Sequence, residues 1–359
     1  MSPVSLPIPT VLVGAGHRAR AVWGPLLRGH LADRVSLLGV VGRGRDRGQA
    51  TADALGVPLW PDLDAGVTAG VRLAIVCVSA HENAPVAHAV LNRGWSALLE
   101  TPLALSAADA TALAARIATH AAPVGVAEQN VFHLEQRLLI ALARSGVLGE
   151  PRGVVSDGAG YLYHAAAVAH AALGDPAPRA VSAQRVELPG LDVGRGGPEF
   201  VLTGTVRYAG GALFTLRDAE AAWREGGPFG RGGYRVMGSG GEAAGRSVIV
   251  AHGAGWRPAP VEERRASDGR LIALSCAGVT VEVARPQHAL SDDAQAAAAC
   301  LLRLLEVHDG VGRDGSARAR WNSNGQGSRD GSVLAAQRDV LVLDAMQRSA
   351  RLGGALIAV

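Results

Sequence analysis

Lysine is missing from this chain: none of the 359 residues is lysine, so all 35 residues counted as lysine plus arginine are arginine. Covalent chemistry through a lysine amine is therefore excluded. Arginine keeps its proton near neutral pH, so proton transfer must fall to histidine, tyrosine, a carboxylic acid or water. Cysteine is scarce as well. Cys77, Cys276 and Cys300 are odd in number, far apart and without metal-ligand spacing, which argues against a disulfide framework and a zinc site and fits a reducing cytoplasm. Net charge of one sign is also small, +3 in formal terms with a sequence pI near 9.0, so nucleic acid is not an expected partner. No apolar run approaches the roughly 18 residues of a membrane span, and the N-terminus has no basic segment leading into an apolar stretch. Neither a membrane anchor nor a signal peptide is expected. No carboxylate pair, Ser-His-Asp order, metal cluster or internal repeat stands out, which leaves hydrolase and metalloenzyme readings without support.

What is present is 48% hydrophobic, enough in a chain of this length to bury the cores of two ordinary domains. Up to about residue 127, short apolar runs at 10–13, 35–41, 73–78, 97–99 and 124–127 alternate with helical stretches at 19–31, 47–55, 84–93 and 107–120. That order predicts βαβ units and a parallel sheet. Ser106 reads as a helix N-cap with Asp109 in the first turn, and Gly94 as a helix stop. Beyond residue 130 a helix at 134–144 precedes alternating segments at 200–208, 212–217, 234–237, 247–252, 271–275 and 280–283, which predict an antiparallel sheet. Glycine-rich connections at 194–197, 226–233 and 238–245 read as turns or loops over it. A helix at 294–308, a long polar loop at 309–331, a helix at 332–351 and a terminal strand at 355–359 complete the reading. The expected fold is α/β: a Rossmann-type domain over residues 1–127 and an α+β domain with a largely antiparallel open sheet over 128–359. Helices on one face of that sheet leave the other needing a cover, so a homodimer through it is expected.

The first strand runs into Gly14-Ala15-Gly16-His17-Arg18-Ala19, a G-x-G-x-x-A turn at a strand-to-helix junction. Gly14 permits the tight turn, Gly16 lets the backbone approach a pyrophosphate, Ala19 allows close helix packing, and the helix N-terminus offers free N–H groups. The alternative is a glycine turn with a structural role only. The second strand ends in Val41-Gly42-Arg43-Gly44-Arg45-Asp46-Arg47, with no acid at its tip to accept from a ribose 2′-OH. Arg43 and Arg47 are instead placed to clamp a 2′-phosphate, which favours NADPH over NADH. Solvent-facing arginines in a lysine-free chain remain the other reading. Ser79, at the end of the third predicted strand, lies where ligands sit in open α/β sheets.

At Leu99-Glu100-Thr101-Pro102-Leu103 the sequence resembles the E-K-P signature of the Gfo/Idh/MocA oxidoreductases. The likeness extends to the glycine turn, to Ser145-Gly146-Val147-Leu148-Gly149-Glu150-Pro151, similar to the family's S-G-x-L-G-x-P, and to the late helix with Gln347-Arg348-Ser349-Ala350. It implies nicotinamide-linked redox chemistry, with Glu100 and Pro102 shaping the turn beneath the nicotinamide. A cis peptide before Pro102 is open to the sequence without being decided by it. The family's sugar-alcohol dehydrogenases use the E-K-P lysine as acid/base group, and Thr101 stands there instead. Many of them also carry D-x-x-x-H, where this chain reads Gly160-Tyr161-Leu162-Tyr163-His164 and keeps only the histidine.

The segments 42–47, 55–60 and 161–174 are similar to the thiazolinyl imine reductases, a branch that has E-H-P at this turn and reduces C=N with NADPH. That branch's N-T-F-Y-P-H is replaced by Gln129-Asn130-Val131-Phe132-His133, which puts His133 about where the branch has a tyrosine. His133, at the sequence junction of the two domains, is the first candidate proton donor on its ordinary pKa, with Tyr163 and His164 next. Each histidine also fits a hydrogen-bonded core position. The expected activity is NADPH-dependent reduction of an imine, or of a ketone, on a small molecule free or tethered to a carrier protein. A non-redox regulator, scaffold or cyclase is the alternative from another class, and a sugar-nucleotide oxidoreductase a further one.

Overall fold

A computed structural model describes residues 6–158, 161–192, 198–219, 233–283, 290–311 and 332–359. The glycine-rich connection at 194–197, most of that at 226–233 and most of the polar stretch at 309–331 lie outside the described residues. Contacts divide the chain into two compact units, Met1–Gln129 with Gln287–Val340, and Asn130–Pro286 with Leu341–Val359. The first boundary falls two residues beyond the expected one. The late segment departs further, since residues 287–340 group with the N-terminal unit and not with the second domain.

In the first unit, β1 (Ile8–Val13), β2 (Val35–Val41), β3 (Leu59–Trp60), β4 (Leu73–Val76), β5 (Ser96–Leu99) and β6 (Val124–Val126) form a parallel sheet in the order β3-β2-β1-β4-β5-β6. Both β4 and β5 are buried along their whole length, as expected of strands covered by helices on both faces. The strand order reverses between β1 and β4, and ligands of open α/β sheets bind at such a switch point. Helix Ala107–Ala118 shows how sequence sets each layer. Ala110, Leu113, Ala114 and Ile117 form its buried stripe, and the Ser106 hydroxyl accepts from the Asp109 backbone N–H at 3.1 Å to cap it. The two late helices contribute to the same unit: Asp292–Val311 packs on β5 and β6, and Val333, Ala336 and Val340 join the apolar core.

The helix after β1 begins at residue 17 and is wound as π-helix over Ala19–Trp23 and Leu26–His30. The cause is local. Pro25 has no N–H and its ring would press on the carbonyl one turn back, and the widened turns, in which the Gly24 N–H reaches Ala19 O, accommodate it. Helix Ala80–Leu91 starts four residues earlier than expected and carries Pro85 in its interior, where one intrahelical N–H bond is forgone.

In the second unit, β7 (Pro151–Asp157), β8 (Pro178–Asp192), β9 (Pro198–Tyr208), β10 (Leu213–Ala219), β11 (Gly233–Gly238), β12 (Gly241–Ala244), β13 (Ser247–His252), β14 (Gly255–Pro258) and β18 (Ile357–Ala358) make one sheet, ordered β14-β13-β12-β11-β7-β10-β9-β8-β18. It is antiparallel except between β7 and β10. A separate sheet holds β15 (Glu262–Arg265), β16 (Leu271–Cys276) and β17 (Val279–Glu282). Helices Leu134–Arg144 and Leu162–Leu173 pack into the same core as the large sheet, where Leu138, Leu142, Val168, Phe214 and Val236 are buried.

Candidate dinucleotide site

The turn after β1 is compressed between its neighbours. The Gly14 N–H donates to Val41 O and the Cys77 N–H donates to Val13 O, both at 2.7 Å, so the ends of β2 and β4 flank it. Gly14 has φ +119°, and a Cβ there would lie 2.1 Å from the Cys77 carbonyl oxygen, which admits no other residue. Gly16 differs: a Cβ there would meet nothing within 4 Å. The protein's own packing does not require glycine at 16, so the open space above it suits a ligand that must approach the backbone closely. Ala19 is fully buried against the sheet, and the first N–H groups of the helix have no partner within it. Turn, open surface and helix dipole together fit a dinucleotide pyrophosphate.

Beneath the turn lies a charged network that the sequence does not announce. Glu100, 7% exposed, accepts through Oε1 from Arg18 Nε at 2.9 Å and from Trp23 Nε1 at 2.7 Å. Arg18 Nη1 also pairs with Asp293 at 2.6 Å, drawing in the start of helix Asp292–Val311. The Arg18 side chain, expected among the cofactor contacts, is thus turned inward to two carboxylates, leaving its backbone N–H at the helix start. Burial opposes its charge, but Glu100 and Asp293 together outweigh that and hold its pKa above the ordinary value. The Thr101–Pro102 peptide is cis. Asn83 clamps this bend, donating from Nδ2 to Glu100 O at 2.6 Å and to Pro102 O at 2.8 Å. Thr101 is half-buried and Pro102 buried. The Cys77 thiol at the end of β4 is pushed well above its usual pKa by burial first and by the Glu100 carboxylate second.

At the edge of the turn Gly42 sits against Ala15, close enough that a Cβ at 42 would stand 3.0 Å from the Ala15 Cβ. Arg43 follows, 75% exposed, and its Nη1 pairs with Glu82 Oε1 at 3.0 Å. The same carboxylate lies 3.5 Å from His81 Nε2, whose ring reaches the Ser79 hydroxyl at 3.4 Å. Arg47 and His17 are exposed. Gly14, Gly16, His17, Arg18, Ala19, Gly42, Arg43, Arg47, Ser79, Glu100, Thr101 and Pro102 therefore all belong to the first unit.

His133, Tyr163 and His164 belong to the second. His133 is the N-cap residue of helix Leu134–Arg144, half-buried, with its carbonyl accepting from the Arg137 N–H at 2.8 Å. Tyr163 and His164 meet edge to face with ring centroids 4.4 Å apart, and Tyr161 stacks on Tyr163 at 5.5 Å. His164 is buried and Tyr163 half-buried.

Sequence reasoning passed over Asn83, Trp23 and Asp293. Asn83 did leave a signal: it shares a buried stripe with Ala87, Val90 and Leu91, where a polar side chain calls for a partner, and its Nδ2 has two. Asp293 left none, being 275 positions from its partner. Among the described residues no cluster of His, Cys, Asp or Glu could hold a metal ion, and no helix is long and apolar enough to cross a membrane.

Residues 8–128 match the oxidoreductase family with an NAD-binding Rossmann fold, GFO_IDH_MocA. A protein of Amycolatopsis mediterranei assigned as the oxidoreductase subunit of UDP-kanosamine synthase is 38% identical over 104 residues, 29% of this chain and 28% of its own length. The structure of GenD2 from gentamicin A biosynthesis, in complex with NAD, superposes with a TM-score of 0.70 at 19% identity, covering 100% of this chain and 98% of that one. An inositol dehydrogenase homologue from Azotobacter vinelandii, with NADH and myo-inositol, gives 0.72 at 16% identity, covering 99% and 98%. These likenesses show a shared fold. Residues 8–128 are thus similar to the NAD-binding Rossmann region of the Gfo/Idh/MocA oxidoreductases.

Proposed function

We propose that the protein is an NADPH-dependent oxidoreductase that reduces a C=N bond, or a C=O bond of a related substrate, in a small molecule free or tethered to a carrier protein. One observation carries this reading: a glycine turn fitted to a dinucleotide stands beside a cis bend, Glu100-Thr101-Pro102, with no ionisable side chain at its centre. A threonine hydroxyl does not exchange its proton usefully near neutral pH, so an alcohol would find no base there. Reduction of an imine needs no base, only a proton delivered to nitrogen, which a histidine can supply. The bound nicotinamide supplies the hydride. The chain's own residues do the rest. N–H groups at the start of the helix after β1 hold the pyrophosphate, Arg43 and Arg47 are the cations for the 2′-phosphate, and the Asn83-clamped turn at Glu100 and Pro102 orients the ring. His133 delivers the proton, with Tyr163 and His164 as the next candidates.

A sugar-nucleotide oxidoreductase is the second reading, favoured by the UDP-kanosamine assignment of the relative that is 38% identical over 104 residues. Purified protein offered NADPH with cyclic imines and ketones, and NADP⁺ or NAD⁺ with sugar nucleotides, separates the two by nicotinamide absorbance. NADPH consumption with an imine is the expected result. His133→Asn then lowers turnover by about 10²–10⁴, while Thr101→Ala changes it little. Turnover of sugar nucleotides alone would replace this reading with the second, and cofactor binding without turnover on any substrate would leave a non-redox role.

A further inference from the structure

Arg43, the side chain best placed to read a 2′-phosphate, is not waiting for one: its guanidinium is already paired with Glu82 at 3.0 Å. Glu82 comes from a different part of the fold, the first turn of helix Ala80–Leu91 beyond β4, while Arg43 follows β2. The two exposures differ in a way that matters, 27% for the Glu82 side chain and 75% for Arg43. The carboxylate is thus the sheltered partner and the guanidinium the one open to solvent and to an incoming ligand. Both flank the glycine turn, because β2 and β4 are the strands on either side of β1. No acid stands at Gly42, and Glu82 is the carboxylate that pairs with Arg43 at this edge of the site.

We propose that Glu82 sets the cofactor specificity of the site by competing with the 2′-phosphate for Arg43. This rests on the reading that Arg43 recognises that phosphate. A phosphate entering here must share or capture a cation whose charge is already balanced, and it meets the negative charge of Glu82 nearby. Both effects weaken NADPH and leave NADH, which has only a 2′-hydroxyl, almost untouched. Glu82 thereby narrows the advantage that Arg43 gives to NADPH. The pair is exposed enough for salt to screen it, so the competition is strongest at low ionic strength.

Calorimetric titration of NADPH and NADH into the wild type, Arg43→Ala, Glu82→Gln and the double variant tests this without any turnover. Glu82→Gln keeps the side chain's shape and an acceptor oxygen, so it should fold. It is expected to tighten NADPH by about two- to fivefold, the range of a partly exposed charge pair, with NADH unchanged. The gain should shrink at high salt and vanish when Arg43 is also alanine. If Arg43→Ala fails to weaken NADPH relative to NADH, the 2′-phosphate reading falls and this inference falls with it. If Arg43→Ala does weaken NADPH but Glu82→Gln leaves it unchanged or weaker, the inference alone is overturned.

Discussion

Glu100 and Cys77 illustrate how single side chains at the end of a parallel sheet take their surroundings from elements far away in sequence. Glu100 is nearly buried, and two N–H donors, from Arg18 and Trp23, converge on one of its oxygens. For Cys77, burial first and the Glu100 carboxylate second outweigh the opposing pull of the Arg18 guanidinium and hold the thiol protonated. Its pKa in the folded chain lies above the value of about 8.5 in an unfolded one. The stabilisation from the buried neutral thiol is therefore complete below about pH 8.5 and is lost as pH rises towards the folded value. Thermal unfolding followed from about pH 7 to pH 10 should show the wild type losing stability more steeply than Cys77→Ala. Parallel curves would mean that Cys77 titrates no differently in the two states. The sequence places Cys77 at a strand end, yet its environment depends on Glu100 from β5 and Arg18 from the helix after β1. Burial of this kind comes from tertiary packing, which local pattern does not report.

At the scale of elements, what was legible followed from regular local chemistry. β2 and helix Leu134–Arg144 have the boundaries that the apolar pattern predicts, and Ser106 caps the helix it precedes. β7 and β8 were not foreseen. Pro151 and Gly153 break up the apolar run of β7, although Gly153 lies beneath the Met237 side chain in the middle of the sheet. β8 carries Arg185 and Glu187 at exposed positions and so shows little alternation. The bend after β5 depends on a neighbouring element in the same way. Pro102 made a cis peptide open to the sequence reading without deciding it, and the clamp comes from helix Ala80–Leu91 through Asn83. Asn83→Ala removes two donated bonds to buried carbonyls and should cost about 1–3 kcal/mol of unfolding free energy, with a loss of turnover greater than the loss of NADPH affinity. Denaturant melts and the same calorimetric titration read both quantities. Unchanged stability would show that the carbonyls find other donors and that the clamp is dispensable.

For the whole molecule, the late segment was the hardest to place. Residues 287–340 return to the first unit, where Asp293 meets Arg18 and Val333, Ala336 and Val340 enter the apolar core. No sequence period reveals such a return, because the helices involved look alike whichever sheet they cover. The glycine turn after β1 was legible for the opposite reason: strand, glycines and helix start are contiguous, and Gly14 is fixed by a steric demand at its own position. The account accordingly depends most on that turn. Gly16 offers the direct test, since a Cβ there meets none of the protein within 4 Å, so that a side chain should leave folding intact while filling the space proposed for the pyrophosphate. Titration of NADPH, followed by nicotinamide fluorescence, into the wild type and Gly16→Val should show saturable binding to the first and a loss of about tenfold or more in the second, with both unfolding at the same temperature. Wild-type protein that binds neither NADPH nor NADH, or a Gly16→Val variant that binds NADPH as tightly as the wild type, would contradict it.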